Sequence, residues 1–229
     1  MYKQSKIPNS VKPYNTERLY KLWKEEYFEL LDHVLQGKTF DGEYTVKTQE
    51  EIKRRTGRKH CWLTPSGTSA LMVATLSGSI GPGDEVIVPN YGYVASVNQM
   101  KAAGATLKFV DVDDYGHIDI DQIEQQITER SKALVVVGLY GDAPNMQRIE
   151  QIAKDNNLYV INDAAQCAMS KYKDRMVDSY GDTSIMSFGA NKHMSTFATY
   201  GAIVTDNDDL AYKIERVRLN GKTGRDKTV

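Results

Sequence analysis

The sequence predicts an α/β fold: a sheet of parallel strands buried between crossover helices, preceded by a helical arm. Three observations carry this. From residue 60 onward, short β-rich runs alternate with helical ones. Those runs are apolar nearly throughout, the pattern of strands covered on both faces rather than on one. No internal repeat or low-complexity linker interrupts the alternation, so residues 1–229 read as one unit, with 1–58 as an N-terminal helical arm and 59–229 as the main domain.

Residues 16–36 place Leu19, Trp23, Phe28, Leu31 and Leu35 at near-helical intervals ahead of Gly37, an amphipathic helix with a suitable stop. Thr48-Gln49-Glu50-Glu51 has the form of a capping box, which predicts a second helix starting at Thr48 and ending at Gly57. The alternation then runs CWLT, a helix after Gly67, EVIVP (85–89), a helix through Met100 to Gly104, and TLKFVDV (106–112). It continues with a helix near Ile120 to Ile127, ALVVVGL (133–139), a helix from Asn145 to Asn156, and LYVIND (158–163). Shorter runs follow at 171–173, 183–188 and 201–205. A last helix begins at Asp206-Asn207-Asp208-Asp209, whose acidic side chains suit the positive helix end, and closes near Asn220-Gly221.

Composition narrows the function classes. Lys and Arg total 29 against 30 Asp and Glu, a net charge of −1, which argues against nucleic-acid or anionic-membrane binding as the main task. No apolar run approaches the roughly 20 residues that span a bilayer, and Met1-Tyr2-Lys3-Gln4 leads into polar sequence, so the expected address is the cytoplasm. Cys61 and Cys167 lie far apart with no second Cys or His at metal-ligand spacing, and His33, His60, His117 and His193 are scattered singly. No metal is expected.

Three weak signals point to chemistry. Pro65-Ser66-Gly67-Thr68-Ser69 follows a strand and opens an apolar helix, where free N–H groups and small side chains can seat an anion, although an ordinary N-cap has the same form. Two other phosphate loops fail: Gly221-Lys222-Thr223 has Arg216 where a Walker loop needs its first glycine, and Gly81-Pro82-Gly83 is a turn. Asp163 ends a strand at the carboxyl edge, where open α/β sheets bind ligands, or else caps the following turn. Ser187-Phe188-Gly189-Ala190-Asn191-Lys192 then frees a lysine at the end of the next strand. Together these are the demands of pyridoxal phosphate: a phosphate seat, a carboxylate for the pyridine nitrogen and a Schiff-base amine. The lysine must be neutral for part of such a cycle, which burial and a cationic neighbour favour. Tyr91 or Tyr93 could stack on the ring, or simply pack in the core.

As a set, the motifs resemble those of the DegT/StrS-like sugar aminotransferases, pyridoxal-phosphate enzymes of fold type I. The resemblance runs from Ile7-Pro8 and Gly37 to Gly42 through SGTSAL (66–71), GPGDEVIVP (81–89), FVDVD (109–113), LYGDAPNM (139–146) and DAAQ (163–166) to SFGANKH (187–193). It implies the large domain of that fold, a mixed, mostly parallel sheet flanked by helices. It implies that Lys192 forms the Schiff base and shuttles a proton, and that Asp163 pairs with the pyridine nitrogen. Gln166 would contact the ring hydroxyl, and Tyr93 would stack on the ring. Gly67, Thr68 and Ser69, with the Ser187 hydroxyl, would hold the phosphate. The implied reaction moves an amino group from glutamate to a keto sugar carried on a nucleoside diphosphate, in a homodimer. A sister branch of sugar 3-dehydratases has His in place of the Schiff-base lysine, so Lys192 favours transamination.

Two departures from the family pattern lie near the expected substrate position. Gly138 stands where a His usually precedes Leu-Tyr-Gly, and Phe197-Ala198-Thr199-Tyr200-Gly201 replaces a Gly-Glu-Gly-Gly run. The family's C-terminal small domain is expected to be largely absent. GKTGRDKTV (221–229) reads either as a loop leading to a further element or as a solvated tail. The alternative function is therefore a non-catalytic or half-enzyme subunit that needs a partner chain.

Overall fold

A computed structural model of the chain describes residues 16–37 and 42–221. Ile7-Pro8, residues 38–41 of the glycine-bounded stretch and the tail 222–229 lie outside the described residues. The chain divides into two units, Met1–Gly42 and Glu43–Val229. The larger unit thus begins before residue 59 and includes the second helix.

In the first unit α1 (Thr16–Gln36) is a single 21-residue helix with no buried residue. Pairs one turn apart lie along it, with Lys21 on Glu17 at 2.7 Å and Gln36 on Asp32 at 2.7 Å.

The second unit opens with α2 (Glu43–Thr56), five residues earlier than the capping-box pattern predicts. Thr48 lies inside this helix, and its hydroxyl donates to the Tyr44 carbonyl one turn back at 2.7 Å instead of capping a terminus. A Lys47–Glu43 ion pair spans the added turn. The helix ends at Gly57, whose φ of +75° is the left-handed region that stops a helix.

The strands are β1 (His60–Thr64), β2 (Glu85–Pro89), β3 (Thr106–Val110), β4 (Ser131–Val137), β5 (Tyr159–Asp163), β6 (Lys171–Tyr172), β7 (Arg175–Met176), β8 (Thr183–Ser187) and β9 (Gly201–Thr205). The helices between them are α3 (Gly67–Ser77), α4 (Ala95–Ala102), α5 (Ile120–Ile123) with a 3-10 turn at Glu124–Gln126, α6 (Met146–Asp155) and α7 (Asp208–Arg218). Seven strands form one sheet in the order β1-β9-β8-β5-β4-β2-β3, and β6 and β7 form a separate hairpin. The pairs β2–β3, β2–β4, β4–β5 and β5–β8 are parallel, whereas β8–β9 and β1–β9 are antiparallel. This is the mixed, mostly parallel sheet of the expected fold.

Alternation along the central strands builds the two covering layers. Val86, Val88, Val135 and Val137 join one core with residues of α3, α4 and α7, while Ile87, Leu134 and Val136 join another with Ile149 and Ile152 of α6. Leu134, Val135 and Val136 are fully buried, and burial of each stabilises the fold by on the order of 1.5–3 kcal/mol. Both faces are covered, which is why the strands read as unbroken apolar runs. β3 departs from that expectation: as the sheet edge it leaves Phe109 exposed.

Turn chemistry fixes the junctions. Gly83 adopts φ +94° behind Pro82, and the Gly81 N–H donates to the Asp84 carboxylate at 2.9 Å, closing the expected turn. Asn207 caps α7, its side chain accepting from Leu210 N at 3.0 Å. Arg58, buried between α2 and β1, donates to the carbonyls of Asp178, Tyr180 and Gly181 and to the Asp206 carboxylate. It ties the start of the sheet to the turn before β8. Among the described residues no helix is long and apolar enough to cross a membrane.

Candidate active site

The topology delivers four loops to one sheet edge. β5 and β8 run parallel, so Asp163 and Ser187 both sit at or next to their carboxyl ends. β9 runs back antiparallel, which places its first residue, Gly201, opposite Ser187. β1 is antiparallel to β9 in turn, so Thr64 faces Gly201 and the chain enters α3 at that same edge.

The start of α3 has the form expected of an anion cradle. Ser66 is the N-cap, and its Oγ accepts from Ser69 N at 3.0 Å and pairs with Ser69 Oγ at 2.9 Å. Ala70 N donates to the Ser66 carbonyl at 3.0 Å. The helix-start donors left without an internal partner are then the N–H groups of Gly67 and Thr68. Thr68 is exposed and Gly67 is buried. A Cβ on Gly67 would lie 2.9 Å from Ser187 Cβ, and one on Gly201 would lie 2.5 Å from the Ser66 carbonyl carbon. Glycine at both positions lets α3, β8 and β9 converge.

Asp163 is buried to 4% exposure. Ser96 Oγ donates to its Oδ2 at 2.6 Å, and Ala165 N donates to Oδ1 at 3.1 Å. Burial pushes the carboxyl up from the ordinary aspartate range, opposed by the Ser96 and Ala165 hydrogen bonds and by the positive charge of Lys192. Lys192, half-buried, follows β8 in a turn closed by its own N–H on the Gly189 carbonyl at 2.8 Å. The neighbouring His193 hydrogen-bonds through Nε2 to the Ala168 carbonyl at 2.8 Å, joining the lysine loop to the turn after β5. Gln166, half-buried, lies in that turn, and its carbonyl accepts from Gly141 N at 3.0 Å.

Tyr93 sits just before α4 and is 63% exposed, so it is not a core residue. Tyr91, the other candidate, meets Tyr140 hydroxyl to hydroxyl at 2.6 Å. The structure therefore gathers the α3 cradle, Asp163, Ser187 and the Lys192 loop at one edge, with Gln166 in the adjoining turn. Ser96 had no signal in the sequence: a serine inside a short helix acquires meaning only when its partner, 67 positions away, is in place.

Gly138, which stands where the family pattern has His, has a steric reason for being glycine. A Cβ there would lie 2.1 Å from Cys167 Sγ and 2.9 Å from the Asp142 carbonyl oxygen. Its N–H donates to the Asp163 carbonyl at 3.1 Å. Cys61 and Cys167 are free and buried, and burial raises both thiols, Cys61 to about 12. Neither is a nucleophile at neutral pH. Among the described residues no group of three His, Cys, Asp or Glu side chains is arranged for a metal ion.

Comparison with known proteins agrees with this architecture. GDP-perosamine synthase of Escherichia coli O157:H7 is 40% identical over 172 residues, 75% of this chain and 47% of that protein. The UDP-N-acetyl-3-dehydro-alpha-D-glucosamine 3-aminotransferase of Acidithiobacillus ferrooxidans is 37% identical over 174 residues, 76% of this chain and 47% of that protein. Among solved structures, ntda from Bacillus subtilis with bound cofactor PMP superposes with a TM-score of 0.86 at 29% identity, covering 100% of this chain and 53% of that one. The chain spans about half the length of the curated relatives it matches. The pattern of the DegT/DnrJ/EryC1/StrS aminotransferase family matches residues 22–229, and the chain belongs to that family.

Proposed function

We propose that this chain carries the cofactor-binding half of a pyridoxal-phosphate aminotransferase acting on a nucleotide-linked keto sugar, with glutamate as amino donor. The observation that carries the reading is the meeting of a buried, hydrogen-bonded carboxylate, a lysine loop and a glycine-lined helix start at one sheet edge. The residues present fit the cofactor. Gly67 and Gly201 let the α3 start pack closely on Ser187 and β9, two N–H donors at that helix start suit a phosphate, and Asp163 suits a cationic ring nitrogen.

When bound, pyridoxal phosphate supplies an electron sink for carbanion chemistry at the amino-donor carbon. The Gly67 and Thr68 N–H groups would donate to the phosphate, with the Ser69 and Ser187 hydroxyls beside them. Asp163 would hold a protonated ring nitrogen by offering a buried negative charge. Gln166 meets the ring hydroxyl from the turn after β5, and Tyr93 covers one ring face. Lys192 Nζ would anchor the group covalently and, when free, would hold or move the proton at the amino-donor carbon.

The exposed ring of Tyr93 and the unburied apolar stripe of α1 support a homodimer in which a second copy covers such surfaces. A cytoplasmic address suits substrates that are nucleotide sugars. Incubation of the purified chain with pyridoxal phosphate, glutamate and UDP- or GDP-linked keto sugars should yield 2-oxoglutarate and the amino sugar, and Lys192→Ala should yield neither. Product formation by Lys192→Ala at the wild-type rate would overturn the assignment. Sedimentation should give twice the chain mass, and a monomer at micromolar concentration would contradict the dimer.

A further inference from the structure

Ser96 is 2% exposed and lies in the first turn of α4, three residues after Tyr93 and 67 positions before Asp163. It makes two bonds in two directions. Its hydroxyl donates to Asp163 Oδ2 at 2.6 Å, and its amide donates to the Tyr93 carbonyl at 2.9 Å. An ionised carboxylate only accepts, so the hydroxyl proton must point at Asp163. The other donor to that carboxylate, Ala165 N, belongs to the turn that follows β5 itself and would persist whatever side chain stood at 165. Ser96 is the one contact in the pair that ties the carboxylate to a different part of the fold.

We propose that Ser96 is a positioning residue that fixes the direction of the Asp163 carboxylate and its spacing from the Tyr93 segment. The inference rests on the cofactor reading above, in which Asp163 and Tyr93 meet the same ring from its nitrogen end and its face. Burial disfavours the charged form of Asp163, and among the groups that oppose burial the Ser96 hydroxyl stands first, ahead of the Ala165 N–H and the Lys192 charge. The Cys167 thiol also feels the Asp163 charge but, held protonated, adds none of its own. Without the hydroxyl, Asp163 keeps one donor, gains affinity for a proton and is free to rotate about its side-chain bonds. A protonated or rotated acid holds a cationic ring nitrogen less well.

The test compares wild type, Ser96→Ala and Ser96→Thr, the last retaining the hydroxyl. In cofactor-free protein labelled with 13C at aspartate carboxyls, the Asp163 resonance is identified by its loss in Asp163→Asn and titrated. Loss of a buried hydrogen bond to a charged group should shift its proton affinity by about tenfold or more in Ser96→Ala, with recovery in Ser96→Thr. Equilibrium dialysis against pyridoxal phosphate should show affinity lower by about tenfold in Ser96→Ala and near wild type in Ser96→Thr. Far-ultraviolet circular dichroism establishes that each variant is folded. An Asp163 titration in folded Ser96→Ala that matches wild type overturns the inference, as does a shift that Ser96→Thr fails to reverse. Failure of the wild type to bind pyridoxal phosphate sinks the cofactor reading instead, and the carboxyl titration still decides whether Ser96 governs Asp163.

Discussion

Gly201→Ala probes the convergence on which the site depends. Gly201 starts β9 without a left-handed backbone, so alanine is conformationally acceptable there and its cost is steric. The new Cβ would lie 2.5 Å from the Ser66 carbonyl carbon and oxygen and 2.6 Å from Gly67 N, all backbone atoms with no rotamer to escape into. Ordinary contact begins near 3.4 Å, so the α3 start and β9 must separate by about 0.9 Å. Overpacking of this kind costs about 1–3 kcal/mol, which for a domain of this size lowers Tm by about 2–12 °C. The displaced atoms include the cap and the first donor of the cradle, so phosphate and pyridoxal-phosphate affinity should fall by about tenfold or more. Differential scanning calorimetry reads the first effect, and fluorescence titration reads the second. Gly81→Ala is the control, because its Cβ would meet nothing closer than the Ala103 carbonyl at 3.9 Å. It should be neutral or stabilising by about 0.5 kcal/mol. If Gly201→Ala matched that control in both Tm and affinity, the close approach of α3 to β9 would not be what shapes the cradle.

Gly138→Ala drives a methyl into Cys167 Sγ and should lose about 2–3 kcal/mol in urea unfolding, with Cys167→Ala recovering only part because the Asp142 carbonyl at 2.9 Å remains; full recovery or no loss contradicts this. Asp178, fully buried with Oδ2 accepting from Met169 N at 2.6 Å and Oδ1 without a partner, is pushed up to about 6 by burial. Its folded-state value lies above that of the unfolded chain, so the stability from its protonated form is complete below about pH 4 and is lost as pH rises through 6. Asp178→Asn should therefore gain on wild type by up to about 3 kcal/mol between pH 4 and pH 7.5, and a pH-independent difference between the two would refute the assignment. Arg58→Lys, which cannot reach three carbonyls and Asp206 together, should cost about 3 kcal/mol in the same assay; a change under 0.5 kcal/mol would show that the guanidinium network is dispensable.

What the sequence made legible followed the physics of short range. β2 and β9 occupy the segments their apolar runs mark, and Asp163 ends its strand as the LYVIND pattern implies. The start of α3 was readable because N-cap, small residues and helix are contiguous. The misplaced start of α2 has a local cause too: Thr48 satisfies its hydroxyl on the preceding turn, a bond the capping pattern does not distinguish from a cap. The exposure of Phe109 required knowing that β3 is an edge, a property of strand order rather than of strand composition. Ser96, the Arg58 network and the Gly138–Cys167 approach were invisible for one reason. Each joins residues that only the folded topology brings together, and each involves residue types that are common in other roles.

Lys192 is proposed as the covalent anchor of a cofactor seated between the α3 start and Asp163. The direct measurement is borohydride reduction of the protein after incubation with pyridoxal phosphate, followed by peptide mass mapping. One reduced phosphopyridoxyl adduct is expected on the peptide containing Lys192, absent in Lys192→Ala and diminished in Asp163→Asn. An adduct spread over surface lysines, with none at Lys192, would contradict it.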